Sequence, residues 1–319
     1  MNNIKNKKLK VIYRYKYQEI YKKILRHWQL YILIALPLIY LFVFRYIPMW
    51  GSRIAFKDYN FSNGIAGSPW TTQYGLKHFI TFFNSPKFSE LMKNTIILSV
   101  YNIFIGMFPP IILAISLNCC RKKKFGKVVQ MITYMPYFIS TVLVVGIMTQ
   151  LLSLQGPINN IINFFGFAPI QFMGEPKWFR TLYVFSGVWQ GAGYSAVIYI
   201  AALASIPQEL YEAAIVDGAS TWKRVLHIDV PSITPTIVIL LIMACGRVLT
   251  LGYEKALLMQ NPLNMQTADI ISTYVYRIGL ESMQYSYSTA IGLFQSVVSL
   301  VMLIMVNQIS KKVNETSLW

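Results

Sequence analysis

The stretch Tyr211–Pro231, YEAAIVDGASTWKRVLHIDVP, is a polar, charge-bearing segment that lies between two apolar runs of the chain. Each run is long enough to cross a bilayer, because about 20 helical residues span the hydrocarbon core. Three residues separate Glu-Ala-Ala from a glycine, and nine more separate that glycine from an isoleucine. The residues at the fixed positions are Glu212, Ala213, Ala214, Gly218, Ile228, Val230 and Pro231. A polar segment held between two such runs predicts a compact loop on one face of a membrane.

The local sequence predicts that residues 207–231, called the elbow below, form a rigid helix–turn–helix. A proline at the start ends the preceding helix and suits the first turn of a short helix over Gln208–Val216. Gly218 is typical of a helix stop, because glycine adopts the left-handed conformation at low cost. A second short helix is expected over Ala219–Asp229, and Pro231 is expected to close the unit before the next apolar run.

The composition indicates a membrane protein. Of 319 residues, 55% are hydrophobic and 13% are charged, whereas ordinary soluble domains carry about 25% charged residues. The net charge of +17 does not indicate nucleic-acid binding, because Lys and Arg cluster between apolar runs, where they set topology or meet anionic lipid headgroups. The three cysteines, Cys119, Cys120 and Cys245, are too few and too poorly spaced for a disulfide framework or a zinc site.

Six apolar runs predict an all-α, polytopic membrane protein with six transmembrane helices. The runs are Leu30–Ile47, Thr95–Leu117, Val128–Leu152, Thr181–Ile206, Ser232–Tyr253 and Ser286–Ser310. Their lengths match a hydrocarbon core of roughly 30 Å at about 1.5 Å rise per residue. When six helices are counted, the basic segments at the N-terminus, at Arg121–Lys127, in the elbow and at the C-terminus all fall on one side. By the positive-inside rule, both termini and the elbow are therefore expected in the cytoplasm.

This topology divides the chain into four parts. Residues 1–29 form a basic cytoplasmic arm, and residues 30–94 hold the first transmembrane helix and an external loop with an amphipathic segment. Residues 95–310 form the core membrane domain, with five transmembrane helices and the elbow, and residues 311–319 form a cytoplasmic tail. His78 in the external loop is interpreted as a surface or interfacial residue, because no second histidine lies near it to complete a metal site.

The elbow resembles the cytoplasmic signature of ABC importer permeases, EAA-x3-G-x9-I-x-L-P, with Val230 in place of the usual leucine. The resemblance implies the type I importer permease fold, in which this loop docks in a cleft of an ATPase and carries its motion to the membrane. It implies ATPase contact at Glu212, Ala213, Ala214, Asp217, Gly218, Ala219 and Pro231. The chain has no G-x-x-x-x-G-K-[ST] motif, so it is expected to be non-catalytic, with ATP and Mg bound by a separate ATPase polypeptide.

A further resemblance covers about residues 70–310 and concerns sugar permeases. Trp189–Tyr194, WQGAGY, looks like the W-x-x-x-G-x segment of carbohydrate importers. Gly252–Pro262 and Ile271–Leu280 look like segments of the aldouronate- and polysaccharide-type permeases of Gram-positive bacteria, which import oligosaccharides of complex glycans. The resemblance implies an importer in the cell membrane, supplied by an extracellular solute-binding lipoprotein. It also implies assembly with a second, different permease and with two ATPase subunits.

The candidate sugar-binding residues follow from the chemistry of sugars, which stack on aromatic faces and hydrogen-bond to planar polar side chains in a cavity. The candidates are Trp189, Gln190, Tyr194, Arg247 and Tyr253. Aromatic residues of membrane helices more often serve packing or the interfacial belt. Arg247 lies within an apolar run, so it either faces a cavity, as a contact for an acidic sugar, or snorkels to the outer interface.

Three other functions compete with oligosaccharide import. An amino-acid or phosphate ABC permease would share the elbow, and only the resemblance of the sugar-permease segments speaks against it. An ion-coupled secondary transporter needs carboxylates inside the membrane, and the six apolar runs contain none. A membrane-embedded enzyme needs a catalytic constellation, and the sequence has no H-E-x-x-H, no paired intramembrane aspartates and no G-x-S-x-G.

Overall fold

The computed structural model describes residues 26–314 and 317–318. Within these residues the regular secondary structure is helical, apart from an isolated antiparallel bridge between Lys57 and Trp70. The all-α prediction is confirmed. Residues 1–25 of the predicted basic arm lie outside the described residues, and so do residues 315, 316 and 319 of the predicted tail.

Groups of short helices separate the long helices of the chain, and π-helical and 3₁₀ turns join several of them. In chain order the α-helices are α1 (Trp28–Leu41), α2 (Ile47–Gly51), α3 (Gly64–Gly67), α4 (Lys77–Phe83), α5 (Pro86–Asn118), α6 (Lys123–Tyr134), α7 (Thr141–Leu151), α8 (Pro157–Phe164), α9 (Pro176–Ala204), α10 (Gln208–Val216), α11 (Thr221–Arg224), α12 (Val230–Cys245), α13 (Tyr253–Met259), α14 (Met265–Ala268), α15 (Ile271–Tyr276) and α16 (Tyr285–Asn314). π-helical turns cover Phe42–Tyr46, Val225–Asp229 and Arg277–Glu281, and 3₁₀ turns cover Ser52–Phe56, Phe61–Asn63, Gln73–Gly75 and Met135–Phe138.

Four helical stretches of the described chain are long and apolar enough to cross a membrane. They are Trp28–Phe56, Pro86–Asn118, Thr221–Cys245 and Tyr285–Lys312. α6 and α7 make a fifth if this bent pair is one span. α9, with 29 residues, covers most of the predicted fourth run, although it is less apolar than these four. The count of six spans therefore stays a prediction, as does the side on which each terminus lies.

Val128–Leu152 does not form the single helix that its apolar run predicts. α6 and α7 are bent by 98° relative to each other, and a 3₁₀ turn connects them. Pro136 in that turn has no backbone N–H to continue the helical ladder. Ser140 then starts α7, because its hydroxyl accepts from the backbone N–H of Leu143 at 3.4 Å. The break turns the chain and leaves the side chains of the turn near the surface.

The predicted run Ser232–Tyr253 is wrong at both ends. One helical stretch continues from Thr221 through the π-helical turn to Cys245, so the long helix begins inside the elbow. After Cys245 the backbone forms turns and irregular structure up to α13. Arg247 therefore lies beyond the end of the helix and not within it.

α5 begins before the apolar run that predicted it. The hydroxyl of Ser85 accepts from the backbone N–H two residues further on, at 3.2 Å, and so caps the helix. Pro86 occupies the first turn, where its missing N–H is not needed. α5 then extends over 33 residues to Asn118, with Pro109 and Pro110 inside it.

The chain divides into two compact units. The described part of the first comprises residues 26–54 and 59–68, and every residue of α1 in it is exposed. An apolar helix exposed on all sides needs an apolar environment, which a bilayer provides. The described part of the second unit comprises residues 55–58 and everything from residue 69 onward.

The core of the second unit lies where α9 packs along α5. One cluster of buried side chains there includes Leu98 of α5, Val184 of α9 and Met259 of α13. A further cluster joins Ala114 of α5 and Leu203 of α9 to residues of α12. The elbow follows directly after α9 and runs into α12, so this second cluster holds the elbow at the end of three packed helices.

Candidate functional site

The first helix of the elbow, α10, has its predicted bounds. Pro207 precedes it in an extended conformation, with a ψ of 132°, which separates α10 from α9. Glu209 lies in the first turn, where its carboxylate interacts favourably with the positive end of the helix dipole. No residue of α10 is buried, so this helix packs little against the chain and leaves its side chains accessible.

The turn after α10 is a left-handed helix stop at Gly218, as predicted. Its φ of +73° lies in the region that favours glycine. The N–H of Gly218 donates to the carbonyl of Ile215 at 3.0 Å, and the N–H of Ala219 donates to the carbonyl of Ala214 at 2.8 Å. These two bonds are the pattern of a Schellman motif, which satisfies the last carbonyls of the helix and fixes the direction in which the chain leaves it.

The second half of the elbow differs from the prediction of a separate short helix closed by Pro231. The hydroxyl of Ser220 accepts from the backbone N–H of Lys223 at 3.4 Å and starts α11. α11 then continues through the π-helical turn Val225–Asp229 into α12. Pro231 lies in the first turn of α12, where proline is tolerated, so it does not separate the elbow from the long helix.

The elbow exposes a mixed polar and apolar surface. Glu212, Ala213 and Gly218 are exposed. Beside them, Val216 is 87% exposed and Trp222 is 69% exposed. The remaining predicted contact residues are Ala214 and Ala219, both half-buried, and Asp217 and Pro231, both exposed. Large apolar side chains that stay exposed on a short loop are characteristic of a surface for another protein.

A polar triad connects the elbow to α5, and the sequence did not predict it. It consists of Asn118 at the end of α5, Tyr211 of α10 and Asp229 of the π-helical turn. The Tyr211 hydroxyl donates to Oδ1 of Asp229, and the Asn118 amide lies 3.5 Å from both oxygens. Burial and the hydrogen bond to Asp229 raise the pKa of Tyr211 to about 12. The hydroxyl therefore keeps its proton at neutral pH and remains a donor.

The thiol next to the triad is affected by the same surroundings. Burial, and then the nearby carboxylate of Asp229, raise the pKa of Cys119 above its usual range. The thiol is therefore the stable form at neutral pH. A protonated thiol is a poor nucleophile, so Cys119 is not expected to act as one although it is exposed.

Two of the candidate sugar-binding residues lie at a cluster of aromatic rings at the break between α6 and α7. Tyr194 of α9 stacks on Tyr137, with ring centroids 3.9 Å apart and an interplanar angle of 4°. Tyr134 and Phe138 complete this aromatic cluster. The ring centroid of Tyr134 lies 5.8 Å from that of Tyr194, and the ring centroid of Phe138 lies 5.1 Å from that of Tyr134. Trp189, one and a half turns earlier on α9, is exposed.

The polar candidate Gln190 fixes the position of this cluster. Its amide Nε2 donates to the carbonyl of Ile139 at 2.8 Å, which holds the break of α6 and α7 against α9. Gly193 allows the close approach, because an added Cβ would lie 2.0 Å from the carbonyl oxygen of Thr133. Gln190 is thus a residue that positions the aromatic cluster, and its amide is already hydrogen-bonded to the backbone.

Arg247 and Tyr253 lie elsewhere. Arg247 is exposed in the turn after α12. The ring of Tyr253 stacks on Tyr276 of α15, with centroids 5.5 Å apart, and not on the aromatic cluster. The structure therefore joins Gln190 and Tyr194 in one site and places Arg247 and Tyr253 outside it.

The segment around His78 gives no indication of a metal. His78 Nε2 lies 3.3 Å from a carboxylate oxygen of Asp58 and 3.2 Å from the carbonyl of Lys57. Within the described residues, no group of three or more His, Cys, Asp or Glu side chains could hold a metal ion. α4, which contains His78, corresponds to the predicted amphipathic segment.

The sequence and fold match known proteins over most of the chain. A family model described as the binding-protein-dependent transport system inner membrane component matches residues 110–315. Two relatives from Bacillus subtilis (strain 168) are the polygalacturonan/rhamnogalacturonan transport system permease protein YteP and the protein LplB. YteP is 43% identical over 93% of this chain and 92% of its own length, and LplB is 40% identical over 91% of each.

A solved structure shares the fold. It is the bacterial alginate ABC transporter in complex with an alginate pentasaccharide-bound periplasmic protein. One of its chains aligns with a TM-score of 0.84 and 38% sequence identity, over 93% of this chain and 99% of that one. This chain therefore belongs to the binding-protein-dependent inner membrane components, and it is a non-catalytic, multi-pass permease subunit of an ABC importer in the cell membrane.

Proposed function

We propose that this chain forms one half of the membrane channel of an ATP-driven importer for oligosaccharides of complex glycans, acidic ones among them. The similarity to YteP over 93% of the chain carries this proposal, because that permease is named for polygalacturonan and rhamnogalacturonan. The alginate transporter supports it further, since alginate, like polygalacturonan, is an acidic polysaccharide. Both likenesses favour sugar import over import of amino acids or phosphate.

In this proposal the elbow is the contact with the ATPase. Its exposed face, with Glu212, Ala213 and Gly218 beside the apolar side chains of Val216 and Trp222, would dock on that subunit. ATP and Mg would bind to the ATPase and not to this chain. ATP-driven closure of two such subunits would then move the elbow and, through it, α12. The exposed surface and the backbone fixed by the Schellman motif support this role.

The proposed assembly contains two different permeases, two ATPase subunits and an external binding lipoprotein. The family name supports a binding protein, and the alginate transporter was solved in complex with one. Six transmembrane helices, cytoplasmic termini and contact of the basic segments with lipid headgroups complete the proposal. A Gram-positive source fits the Bacillus relatives.

The aromatic cluster is the proposed contact for the sugar. The exposed rings of Tyr137 and Tyr194 offer flat faces on which a pyranose ring can stack. Trp189 lies on the same helix and is exposed as well. Gln190 keeps these rings in place by its bond to Ile139.

The proposed function is tested by uptake in intact cells. A strain that lacks this chain is compared with the same strain carrying the chain on a plasmid, and entry of radiolabelled oligogalacturonides is measured. The proposal expects loss of uptake in the first strain and recovery in the second, with uptake of a labelled amino acid equal in both. Equal oligogalacturonide uptake, or a loss confined to the amino acid, would overturn it.

A further inference from the structure

The side chain of Asp229 is nearly fully buried, although it is a carboxylate. It is 1% exposed, and it lies at the end of the π-helical turn between α11 and α12. A buried carboxylate is costly unless donors satisfy it. Its donors here are the Tyr211 hydroxyl and the Asn118 amide, which come from two other helices. Such a group fixes the relative position of the elements that meet at it.

The attachment of α10 to the rest of the chain depends mainly on this contact. It has no buried residue, so apolar packing does not hold it to the membrane helices. Within the described chain, Tyr211 is the residue of α10 whose side chain forms hydrogen bonds, and both bonds lead to the triad. Apart from its two chain connections, α10 is therefore attached to α5 and α12 mainly through one hydroxyl.

The triad continues into a packed apolar seam. Ala114 lies one turn before Asn118 on α5, and Ile233 lies one turn after Asp229 on α12. Both are fully buried and belong to the same cluster. Because α5 and α12 already pack together there, a bond from Tyr211 to their ends attaches α10 to both helices at once.

We propose that the triad of Asn118, Tyr211 and Asp229 fastens α10 to the ends of α5 and α12, so that a force applied to the elbow moves both helices together. The proposal rests on the proposed function, in which an ATPase applies that force to the elbow. π-helical turns often occur at functional positions, and here such a turn places Asp229 opposite Tyr211. Tyr211 and Asp229 are thus positioning residues, which act through the elbow and touch neither sugar nor ATP.

The test measures coupling rather than activity alone. The complete transporter, with its partner permease, ATPases and binding protein, is reconstituted in proteoliposomes as wild type, Tyr211→Phe and Asp229→Asn. Imported labelled oligogalacturonide is measured per ATP hydrolysed. Tyr211→Phe is expected to lower this ratio about tenfold while ATP hydrolysis persists, because it removes a hydrogen bond to a charged group. Ser205→Ala removes an exposed hydroxyl just before the elbow and serves as the matched control, with an unchanged ratio.

Asp229→Asn keeps the size of the side chain and one acceptor oxygen, so it tests the charge without removing the contact. We expect a smaller loss than for Tyr211→Phe, and we expect the double variant to be no worse than Tyr211→Phe alone, because both changes act on the bond between Tyr211 and Asp229, which Tyr211→Phe already removes. Multiplied losses in the double variant, or a wild-type ratio in both single variants, would overturn the proposal. A variant that loses uptake and ATP hydrolysis equally, with a lowered melting temperature, would show a merely structural role and would also overturn it.

A separate variant distinguishes this proposal from the proposed function. Glu212→Lys changes the face that would meet the ATPase and leaves the triad intact. If Glu212→Lys abolishes uptake while the triad variants behave as wild type, only the role of the triad fails. If Glu212→Lys also leaves uptake unchanged, the coupling function of the elbow fails as well.

Discussion

The elbow and the segment Tyr253–Glu281 are both series of short helices that connect long ones, but they use their side chains differently. α10 and α11 in the elbow contain no buried residue. By contrast, α13, α14 and α15 bury residues throughout, among them Met259, Ala268 and Ile271. The two short helices of the elbow leave their side chains exposed or half-buried, whereas the second segment uses its side chains as part of the core.

The hydrogen bonds show the same difference. In the elbow, the main fixed points are the backbone bonds around Gly218 and the triad, in which Asp229 accepts from Tyr211 and Asn118. In Tyr253–Glu281, the carbonyl of Asp269 accepts from Asn94 of α5 at 3.1 Å, and the Thr267 hydroxyl donates to the carbonyl of Pro176 at 2.7 Å. A change in the second segment should therefore affect folding, and a change in the elbow should affect coupling.

Arg277→Met should give the largest loss of stability. Arg277 pairs with the buried carboxylate of Asp269 at 2.6 Å, and removing the guanidinium leaves that charge buried without its cation. We expect the free energy of unfolding to fall by about 3–5 kcal/mol, measured as a lower melting temperature in detergent. The matched control is Lys177→Met, which breaks an equally short but exposed pair with Glu175 and should cost less than about 1 kcal/mol. Equal losses in the two variants would contradict the difference between the segments.

Substitutions of Gly218 should have the next largest effect. Nothing lies within 4 Å of an added Cβ, so only the backbone conformation opposes a substitution. Gly218→Ala should strain the turn by about 1–2 kcal/mol, and Gly218→Asn by less, since asparagine tolerates the left-handed region. Gly218→Pro also loses the N–H that bonds to Ile215 and should abolish uptake. The measurement is ATP-driven uptake, which should decrease in the order glycine (wild type), asparagine, alanine and proline. Wild-type uptake by Gly218→Ala would contradict this prediction.

Glu212→Lys should leave the stability unchanged and still abolish uptake. Glu212 is exposed, and an exposed charge reversal changes the free energy of unfolding by about 0.5 kcal/mol at most. The loss should arise because the proposed ATPase-binding face would then carry the opposite charge at this position. Membrane insertion and melting temperature are measured beside uptake. A large fall in melting temperature would show that Glu212 supports the fold instead.

Trp222→Ala should have the smallest effect on this chain alone. The side chain is 69% exposed, so its removal should change stability by less than about 0.5 kcal/mol. In the complex, however, an aromatic side chain at an interface is a frequent source of binding energy. We therefore expect less ATPase to copurify with the variant than with wild type. Unchanged copurification would remove Trp222 from the docking surface.

The features predicted from the sequence are those that depend on neighbouring residues. α10 starts after a proline and stops at a left-handed glycine, and both signals lie within the segment itself. The EAA spacing predicted the family, which the match of the family model to residues 110–315 confirms. Which residues contact an ATPase or a sugar stays a prediction.

The features missed depend on contacts between distant residues. Tyr137 stacks on Tyr194, which is 57 positions further along the chain, and Asn118 meets Asp229 over 111 positions. Pro136 gave a local signal for the break between α6 and α7, but the apolar run around it concealed that signal. Pro231 led to the opposite error, because it was expected to separate the elbow from the next helix. A proline is tolerated in the first turn of a helix and need not mark a boundary.

The continuous stretch from Thr221 to Cys245 has a mechanical consequence. Its 25 residues are about 37 Å long at 1.5 Å per residue, so it has the length of a lever that reaches from the elbow to the far end of α12. If this lever tilts by about 10° around its midpoint, each end swings by about 3 Å in opposite directions, from the same rise per residue. The position of the fulcrum then sets the amplitude. The packed seam of Ala114 and Ile233 lies at the middle of the stretch, so a fulcrum there gives excursions of about equal size at the elbow and at Cys245.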